Sequence, residues 1–194
     1  MNKKNQPILQ DYGIRLRPVK LDDADFIINL RNMPHVKGKM GDFNVTLNNE
    51  KKWIENNYTN PFDYFFIIES LSLVRLGTIG VYDIDFNKLK AQTGRIVVIP
   101  GSLSALPASI LLNDFCFNDL SLERLYGCVV STNKEVIAFN QQLGYTVTHI
   151  SLGDLLINSL YVDMAHVELL KDTWHKKREK LIAIAKNGYF LQNP

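Results

Sequence analysis

The chain contains few of the features on which secreted and membrane-spanning proteins depend. It has two cysteines among 194 residues. Both Cys116 and Cys128 lie in apolar runs, so we expect buried free thiols and no disulfide. The N-terminus has no apolar stretch typical of a signal peptide, and no apolar run reaches the ~18 residues that a membrane span needs. These absences favour a cytoplasmic protein with no membrane partner.

Motifs that carry chemistry are also scarce. The formal net charge is only +2 and no basic patch stands out, so we expect no nucleic-acid partner. There is no Gly-x-Ser-x-Gly motif of hydrolases, and the glycines at 77 and 80 lie in a strand pattern with no following lysine. The histidines show no spacing to cysteines or carboxylates that would indicate a metal site, and we predict no metal. They are His35, His149, His166 and His175.

The apolar residues suffice for one sizeable core. Hydrophobic residues make up 46% of the chain and charged residues 22%, which is ordinary for a globular protein. The length and the absence of repeats or Pro/Gly-rich linkers predict a single domain. We expect an N-terminal tail at residues 1–13, the domain at 14–169, and a C-terminal helix and tail at 170–194 packed on it.

The spacing of apolar residues predicts alternating secondary structure. Strands are predicted near residues 14–19, 63–69, 77–84, 92–99, 124–130, 146–150 and 160–169. Helices are predicted near residues 22–32, 46–58, 107–119 and 135–142, and a last amphipathic helix follows, in which Leu170, Trp174, Leu181 and Ile184 recur at helical spacing.

Several short motifs, taken in this order, resemble the GNAT superfamily of acetyl-CoA-dependent N-acetyltransferases. They are Arg17-Pro18 with Asp22-Asp23-Ala24, Leu30-Arg31-Asn32, Leu76-Gly77-Thr78-Ile79-Gly80, and Asn133 followed by Leu143-Gly144-Tyr145. The second and third resemble the branch of ribosomal-protein N-terminal and amino-sugar acetyltransferases. The resemblance runs from Ile14 to about Leu169. It implies one α/β (α+β) domain with a central mixed, mostly antiparallel twisted sheet flanked by helices, and a C-terminal helix.

The resemblance also implies where acetyl-CoA binds. A backbone N–H of Val97 or Val98 would serve the thioester carbonyl, and the turn at residues 101–107 would hold the pyrophosphate. That turn lacks the later glycines and the arginine of the family's Arg/Gln-x-x-Gly-x-Gly/Ala sequence, so we expect small residues and serine hydroxyls in their place. The implied cofactor-binding residues are Ile96, Val97, Val98, Ser102, Leu103, Ser104, Ala105, Asn133 and Asn140. A helix cap is the alternative role for Asn133.

The catalytic residues depart from the family pattern. Gln92 stands where the related subgroup has a glutamate base, and glutamine cannot take a proton at neutral pH. Asp83 is our preferred candidate for the base that Gln92 cannot supply, and Asp85, Glu69 or a chain of waters are alternatives. A purely structural role for Asp83, as the cap of a turn, is equally open. Asn140 stands where many members have the tyrosine that protonates the CoA thiolate; it can donate a hydrogen bond to the sulfur.

The acceptor side is implied by resemblance alone. Arg31, Asn32, Tyr82 and Gln92 would line it, with a helix-end salt bridge as the alternative for Arg31. The sequence thus predicts an N-acetyltransferase acting on a primary amine of a small metabolite, with a nucleotide-linked amino sugar as the first hypothesis. A protein N-terminal α-amine is one alternative, and a catalytically inactive GNAT-fold binding or regulatory module is another. A homodimer is implied only by the resemblance, because dimers are common in this superfamily.

Overall fold

The fold is built on one sheet of eight strands. The computed structural model of the chain describes residues 6–37, 39, 45–157 and 159–192, with side chains as far as Gly188. The strands are β1 (Leu9–Asp11), β2 (Ile14–Pro18), β3 (Tyr64–Ser70), β4 (Arg75–Asp85), β5 (Lys90–Val98), β6 (Arg124–Val130), β7 (Thr146–Ile157) and β8 (Leu160–Leu170). The α-helices in the described part are α1 (Ala24–Arg31), α2 (Leu47–Thr59), α3 (Ala105–Asp114), α4 (Lys134–Leu143) and α5 (Lys171–Gln192).

The strands lie in the order β1-β2-β3-β4-β5-β6-β8-β7. Every neighbouring pair is antiparallel except β5 and β6, which run parallel because α3 crosses over between them. A mixed, mostly antiparallel sheet flanked by helices, with a C-terminal helix, is the fold that the sequence predicted, and this prediction is confirmed.

Helices cover the two faces of the sheet unequally. Because side chains alternate along a strand, Phe65 of β3 packs with α1 and α2, whereas Phe66 joins the main core under α3 and α5. On the α1/α2 face the helices leave part of the sheet open: Cys128 of β6 and His149 of β7 are exposed. This open half of the sheet borders the site described below.

Local signals begin and end the helices as the sequence predicts. Thr46 caps α2 by accepting a hydrogen bond from the N–H of Asn49 (3.3 Å). Gly144 ends α4 in the left-handed conformation, with φ of 109°. No helix in the described ranges is both long enough and apolar enough to cross a membrane.

Four features differ from the expectations. β1 lies inside the segment that was predicted to be a tail. Its three residues have no strand pattern of their own and form a strand only by pairing with β2. Residues 1–5 of the predicted tail fall outside the described residues. β7 runs seven residues past the predicted end, to Ile157. Leu170 and Ile184 are about half exposed, so the buried stripe of α5 follows Trp174 and Leu181 instead. Cys116 is buried as predicted, but Cys128 is exposed.

Candidate active site

The parallel ladder between β5 and β6 is short. It starts at Lys90 and ends after three register pairs, at Gln92↔Tyr126. Beyond that point β5 continues to Val98 paired with β4, and β6 continues to Val130 paired with β8. The facing edges of the two strands therefore have no strand partner in the described chain. We call the space between them the β5–β6 gap.

Strand geometry decides which backbone N–H groups of β5 face this gap. The N–H of Ile99 donates to the carbonyl of Leu76, which lies on the β4 side (2.9 Å). Because N–H directions alternate along a strand, the N–H of Val97 also points to β4, whereas that of Val98 points into the gap. Of the two residues proposed for the thioester carbonyl, Val98 is the one whose N–H is open to a ligand.

A bulge in β5 lies beside the gap. Arg95 and Ile96 together face the single residue Ile79 of β4, and Arg95 has a φ of 53°, in the left-handed region. The hydroxyl of Thr78 donates to the carbonyl of Arg95 (2.8 Å) and holds the bulge. The bulge turns the Arg95 side chain onto the α1/α2 face.

The Arg95 guanidinium is enclosed by one acid and three rings. Its Nη1 donates to both carboxylate oxygens of Asp63 (2.7 and 3.0 Å). Its central carbon lies 3.9 Å from the ring centre of Tyr82, 5.1 Å from Trp53 and 5.6 Å from Phe65. Arg95, which stands in an apolar strand, thus has an acidic partner in Asp63. Burial raises the pKa of Tyr82 to about 12, so this predicted substrate residue is a neutral hydrogen-bonding group at physiological pH.

The turn after β5 organises its serines internally. Gly101 has a φ of 78°, the left-handed conformation that glycine adopts at no cost. Ser102 Oγ accepts a hydrogen bond from the N–H of Ser104 (3.2 Å) and donates to Ser104 Oγ (2.7 Å). Ser104 is only 3% exposed, and its hydroxyl accepts the hydrogen bond from Ser102. Of the two serines, only Ser102 is partly open to solvent.

The backbone at the start of α3 can still bind an anion. The N–H groups of Ala105 and Leu106 lie in the first turn and have no acceptor within the helix. Pro107 lacks an N–H, and Ala108 is the first to donate within the helix, to Ser104 (3.0 Å). The positive end of α3 thus lies at the end of β5 that opens onto the gap.

Asn133 lies in a small cavity at the C-terminal end of β6. It precedes α4, but its side chain makes no cap hydrogen bond, so the cap alternative does not account for it. The cavity, of about 300 Å³, also involves Lys39, Thr132 and Lys134. Asn140 lies about 10 Å further along α4, half-buried, and its carbonyl accepts the N–H of Tyr145 at the helix end (3.0 Å).

A larger cavity, of about 670 Å³, lies on the other side of the turn. It is bordered by the turns before β2 and β4 and by α5, and its lining is mostly apolar. The turn after β5 forms a further wall of this cavity, with Ser102, Leu103 and Ser104 among the lining residues.

Arg31 and Asn32 end α1 on the acceptor side. Arg31 Nη1 donates to Glu50 Oε2 of α2 (3.1 Å), which is the salt bridge that the sequence left open. Burial lowers the pKa of the Arg31 guanidinium, and the positive charge of Arg95 acts in the same direction. Glu50 is 2% exposed, and its Oε1 has no hydrogen-bond partner among the described groups. Asn32 is exposed at the helix end.

Asp83 and Gln92, both predicted around the proton-accepting position, lie at about the same level of neighbouring strands, since Tyr82 pairs with Gln92. Asp83 is exposed at a second bulge, in β4, with a φ of 52°. Gln92 lies at the floor of the gap, where its Nε2 is 3.7 Å from Cys128 Sγ. Burial raises the pKa of the Cys128 thiol, and the charge of Asp154 adds to the effect, so the exposed thiol is protonated.

Sequence reasoning missed a row of polar side chains on the open α1/α2 face. Cys128, His166 and His149 are direct neighbours across β6, β8 and β7, and Gln92 touches the row at its inner end. We call these four residues the polar row. His149 and His166 belong to the β7–β8 hairpin. Aligning the apolar residues of its two strands in the sequence is the signal that could have shown that the two histidines pair. Within the described residues no group of three or more His, Cys, Asp or Glu is placed to hold a metal.

Comparison with known proteins identifies the family. A model of the acetyltransferase (GNAT) domain matches residues 14–146. The chain belongs to the GNAT acetyltransferase family. This GNAT chain is accordingly an acyltransferase, as the sequence predicted. No curated protein matches it in sequence.

Solved structures share the fold of this GNAT domain. A spermidine N-acetyltransferase from Vibrio cholerae, solved with CoA and spermine, superposes with a TM-score of 0.78 at 18% identity, covering 85% of this chain and 99% of that one. A GCN5-related N-acetyltransferase from Brucella melitensis gives a TM-score of 0.79 at 16% identity, covering 95% and 87%. At such identities the similarity establishes the fold.

Proposed function

We propose that the chain is an acetyl-CoA-dependent N-acetyltransferase acting on a primary amine of a small molecule. One observation carries the proposal: the β5–β6 ladder stops after three pairs beside the N-terminus of α3. Two unpaired strand edges and a positive helix end form a slot for a ligand with amide groups at one end and phosphates at the other. Acetyl-CoA has this composition, and it supplies the activated acetyl thioester.

The residues present fit that co-substrate. The open edge of β5 offers backbone hydrogen bonds to pantetheine amides, beside the apolar side chains of Ile96 and Val98. The N–H groups of Ala105 and Leu106 face the pyrophosphate position without the glycines of the family turn. Ser102 caps the turn internally, so phosphate binding falls to the backbone.

The same geometry supports direct transfer. The N–H of Val98 is a fixed donor for negative charge that develops on the thioester oxygen, and such preorganised donors are worth most in a site that excludes water. Holding amine and thioester together supplies much of the remaining rate enhancement. Asn140 as a hydrogen-bond donor to the sulfur, and Asp83 as a base, stay predictions.

The acceptor is a small amine that enters from the α1/α2 face. The two arginines there, Arg31 and Arg95, are each paired with an acid, Glu50 and Asp63. The charges of these two arginines are therefore balanced by the two acids. The net charge of this face by itself favours neither a strongly anionic nor a polycationic acceptor. The V. cholerae relative is a spermidine acetyltransferase, so polyamines join nucleotide-linked amino sugars as candidate acceptors.

Calorimetry with acetyl-CoA, followed by a thiol-release screen over amines, tests the proposal. We expect micromolar to sub-millimolar binding and CoA release with at least one small amine. Absence of binding at millimolar acetyl-CoA contradicts the proposal. Binding without turnover on any amine favours the inactive-module alternative, and turnover only with peptide N-termini favours the protein acceptor.

The pyrophosphate placement has its own test. Leu103 is 55% exposed in the turn, so Leu103→Glu puts a carboxylate beside the start of α3 without disturbing packed residues. A negative charge there favours the helix but repels a phosphate. We expect acetyl-CoA affinity to fall about tenfold, because repulsion of about 1.4 kcal/mol corresponds to that factor.

Leu103→Gln is the matched control, since it keeps the shape and removes the charge. Its affinity should stay within about twofold of the unaltered protein. Equal affinity in both variants would rule out pyrophosphate at this turn.

A cytoplasmic location and a homodimer also stay predictions.

A further inference from the structure

Arg95 uses only one nitrogen of its guanidinium for hydrogen bonds within the protein. Nη1 donates to both carboxylate oxygens of Asp63 (2.7 and 3.0 Å). Nε and Nη2 donate to no acceptor in the part of the chain that the structure describes. We call these two nitrogens the open edge of Arg95. Their N–H bonds form the fork that matches the two oxygens of a carboxylate or phosphate.

Other arginines of this chain show how such a fork is satisfied inside the protein. Arg17 uses its whole guanidinium, with Nη1 and Nη2 on Asp23 and with Nε on Glu69. Arg178 likewise holds two acids. Arg95 holds one acid, so its guanidinium keeps the capacity to bind a second oxyanion.

The open edge is in contact with solvent. The Arg95 side chain is 22% exposed. Nε and Nη2 are not among the buried side-chain atoms of the described residues that lack a hydrogen bond. Because these nitrogens have no protein acceptor either, they must touch solvent, and a ligand can reach them.

The rest of the guanidinium is held in place. Asp63 fixes Nη1, and three aromatic rings surround the central carbon, of which the Tyr82 ring is the nearest at 3.9 Å. The backbone of Arg95 has a φ of 53°, which is costly for a residue with a side chain, and the hydroxyl of Thr78 holds it there. A group that is fixed before binding loses little conformational entropy when a ligand arrives.

The guanidinium lies on the acceptor side of the candidate active site. Arg95 precedes Val98 by three residues on β5, which corresponds to about 10 Å of strand. Its side chain extends over β4, where its Cδ would lie 3.6 Å from a Cβ on Gly80. This is the α1/α2 face, from which the amine enters in the proposed function. An acceptor several bonds long would therefore connect the open edge with the thioester position.

The chemistry of the open edge selects the kind of group that it binds. A guanidinium has N–H donors and no acceptor, and it keeps its positive charge in proteins. An ammonium would meet this edge as a like charge without a hydrogen bond. A carboxylate or phosphate offers two oxygens in the geometry of the fork, and the resulting charge-assisted bonds are about twice as strong as neutral ones.

We propose that the open edge of Arg95 binds an oxyanion of the acceptor, a carboxylate or a phosphate, while the amine of the same molecule meets the thioester. This rests on the proposed function and names its acceptor class, which is amines that carry an oxyanion several bonds from the nitrogen. Nucleotide-linked amino sugars belong to this class, and spermidine does not. Arg95 is thus a specificity-determining residue.

The first experiment uses the unaltered protein. Acetyl transfer is measured on glycine, β-alanine, 4-aminobutyrate and 6-aminohexanoate, each compared with its carboxamide and with the aminoalkylphosphonate of the same length. Spermidine is the polycationic comparison. For at least one length we expect kcat/KM to be about 10- to 100-fold higher for the oxyanion than for the carboxamide, the range that hydrogen bonds to charged groups give. The carboxylate and phosphonate arms show which oxyanion the edge prefers.

The second experiment repeats the best pair with Arg95→Lys, which keeps the charge and meets the same backbone strain but lacks the fork. We expect kcat/KM for the oxyanion to fall about tenfold or more, mainly through KM, and that for the carboxamide to stay within about threefold. Unchanged acetyl-CoA affinity by calorimetry shows that the variant is folded. Arg75→Lys is the matched control, because Arg75 also lies over a ring, that of Phe26 (4.9 Å), and it should change neither rate.

Three results overturn the inference while leaving the proposed function standing. The first is turnover of the carboxamides or of spermidine that equals or exceeds turnover of the oxyanions at every length. The second is an oxyanion preference that survives in Arg95→Lys. The third is an equal loss on both members of the pair, which is what a merely structural role gives. If Arg95→Lys does not fold, the first experiment still decides the acceptor class. If the unaltered protein turns over no amine at all, the proposed function fails and this inference with it.

Discussion

At the scale of single residues, the approach of β4 to β5 depends on one glycine. A Cβ on Gly77 would clash with the carbonyl oxygen of Val97 and lie 2.9 Å from Val98 Cα, both of which are backbone atoms that cannot rotate away. In the sequence Gly77 is only part of a motif. The structure shows why a glycine is needed at this position: β5 lies too close for any side chain, at the point where the N–H of Val98 faces the gap.

Gly77→Ala should therefore destabilise the protein by about 1–3 kcal/mol, the usual cost of overpacking. Gly188→Ala on α5 is the control: its Cβ would meet nothing nearer than 4.0 Å, and alanine favours a helix by up to about 1 kcal/mol. Urea unfolding of the two variants measures the difference. A Gly77→Ala variant as stable as the unaltered chain would mean that β4 and β5 can separate.

At the scale of elements, one aspartate of α3 holds two side chains of α5. Asp114 accepts a hydrogen bond from Trp174 Nε1 (2.9 Å) and a bidentate pair from Arg178. The hydrogen bonds that Arg178 donates to Asp114 raise the pKa of its guanidinium above the ordinary value. Trp174 is fully buried and stacks on Phe117, so the helix is part of the core and not an appendage.

Trp174→Ala should cost about 3–5 kcal/mol of unfolding free energy, as expected for a fully buried aromatic side chain. Ile184→Ala on the same helix removes a side chain that is 49% exposed and should cost less than about 0.5 kcal/mol. Thermal or urea unfolding compares them. Similar, small losses in both variants would show that α5 folds independently of the core.

At the scale of the whole molecule, a buried ion network ties the start of the chain to the sheet. Arg17 donates to Asp23 (2.6 and 2.8 Å) and to Glu69 of β3 (2.6 Å). Burial by itself would raise the pKa of Asp23. The hydrogen bonds from Arg17 and from the N–H of Lys20 outweigh it, and the net pKa is lowered.

This lowered pKa makes stability depend on pH in the acid range. A carboxyl with a depressed folded pKa stabilises the fold above its unfolded pKa of about 3.9 and loses that contribution as the pH falls through the folded value. Asp23→Asn should cost about 1–3 kcal/mol at pH 7 and flatten the decline in unfolding free energy below about pH 4. Asp25→Asn, on the exposed side of α1, should leave that slope unchanged. An unaltered slope in Asp23→Asn would show that other carboxyls control acid unfolding.

The predictability of the fold and of the site differs for a physical reason. Helix caps at Thr46 and Gly144 and the apolar run of β3 are local signals, so the order of elements could be read directly. β1 and the second half of β7 exist only through pairing with a neighbouring strand, and local pattern does not contain that information. The burial of Ser104 is likewise decided by packing and not by the turn sequence.

The sequence by itself determined the order of the α-helices and of seven of the eight strands, because apolar spacing and turn chemistry are properties of neighbouring residues, and its motifs carried the resemblance to the family. Only the tertiary structure decided where the β5–β6 ladder ends, which backbone N–H faces the gap, and that Gln92, Cys128, His166 and His149 form one row. These residues come from four strands separated by up to 74 positions, from 92 to 166. Register across a sheet brings them together, and register is set by the packing of the whole domain.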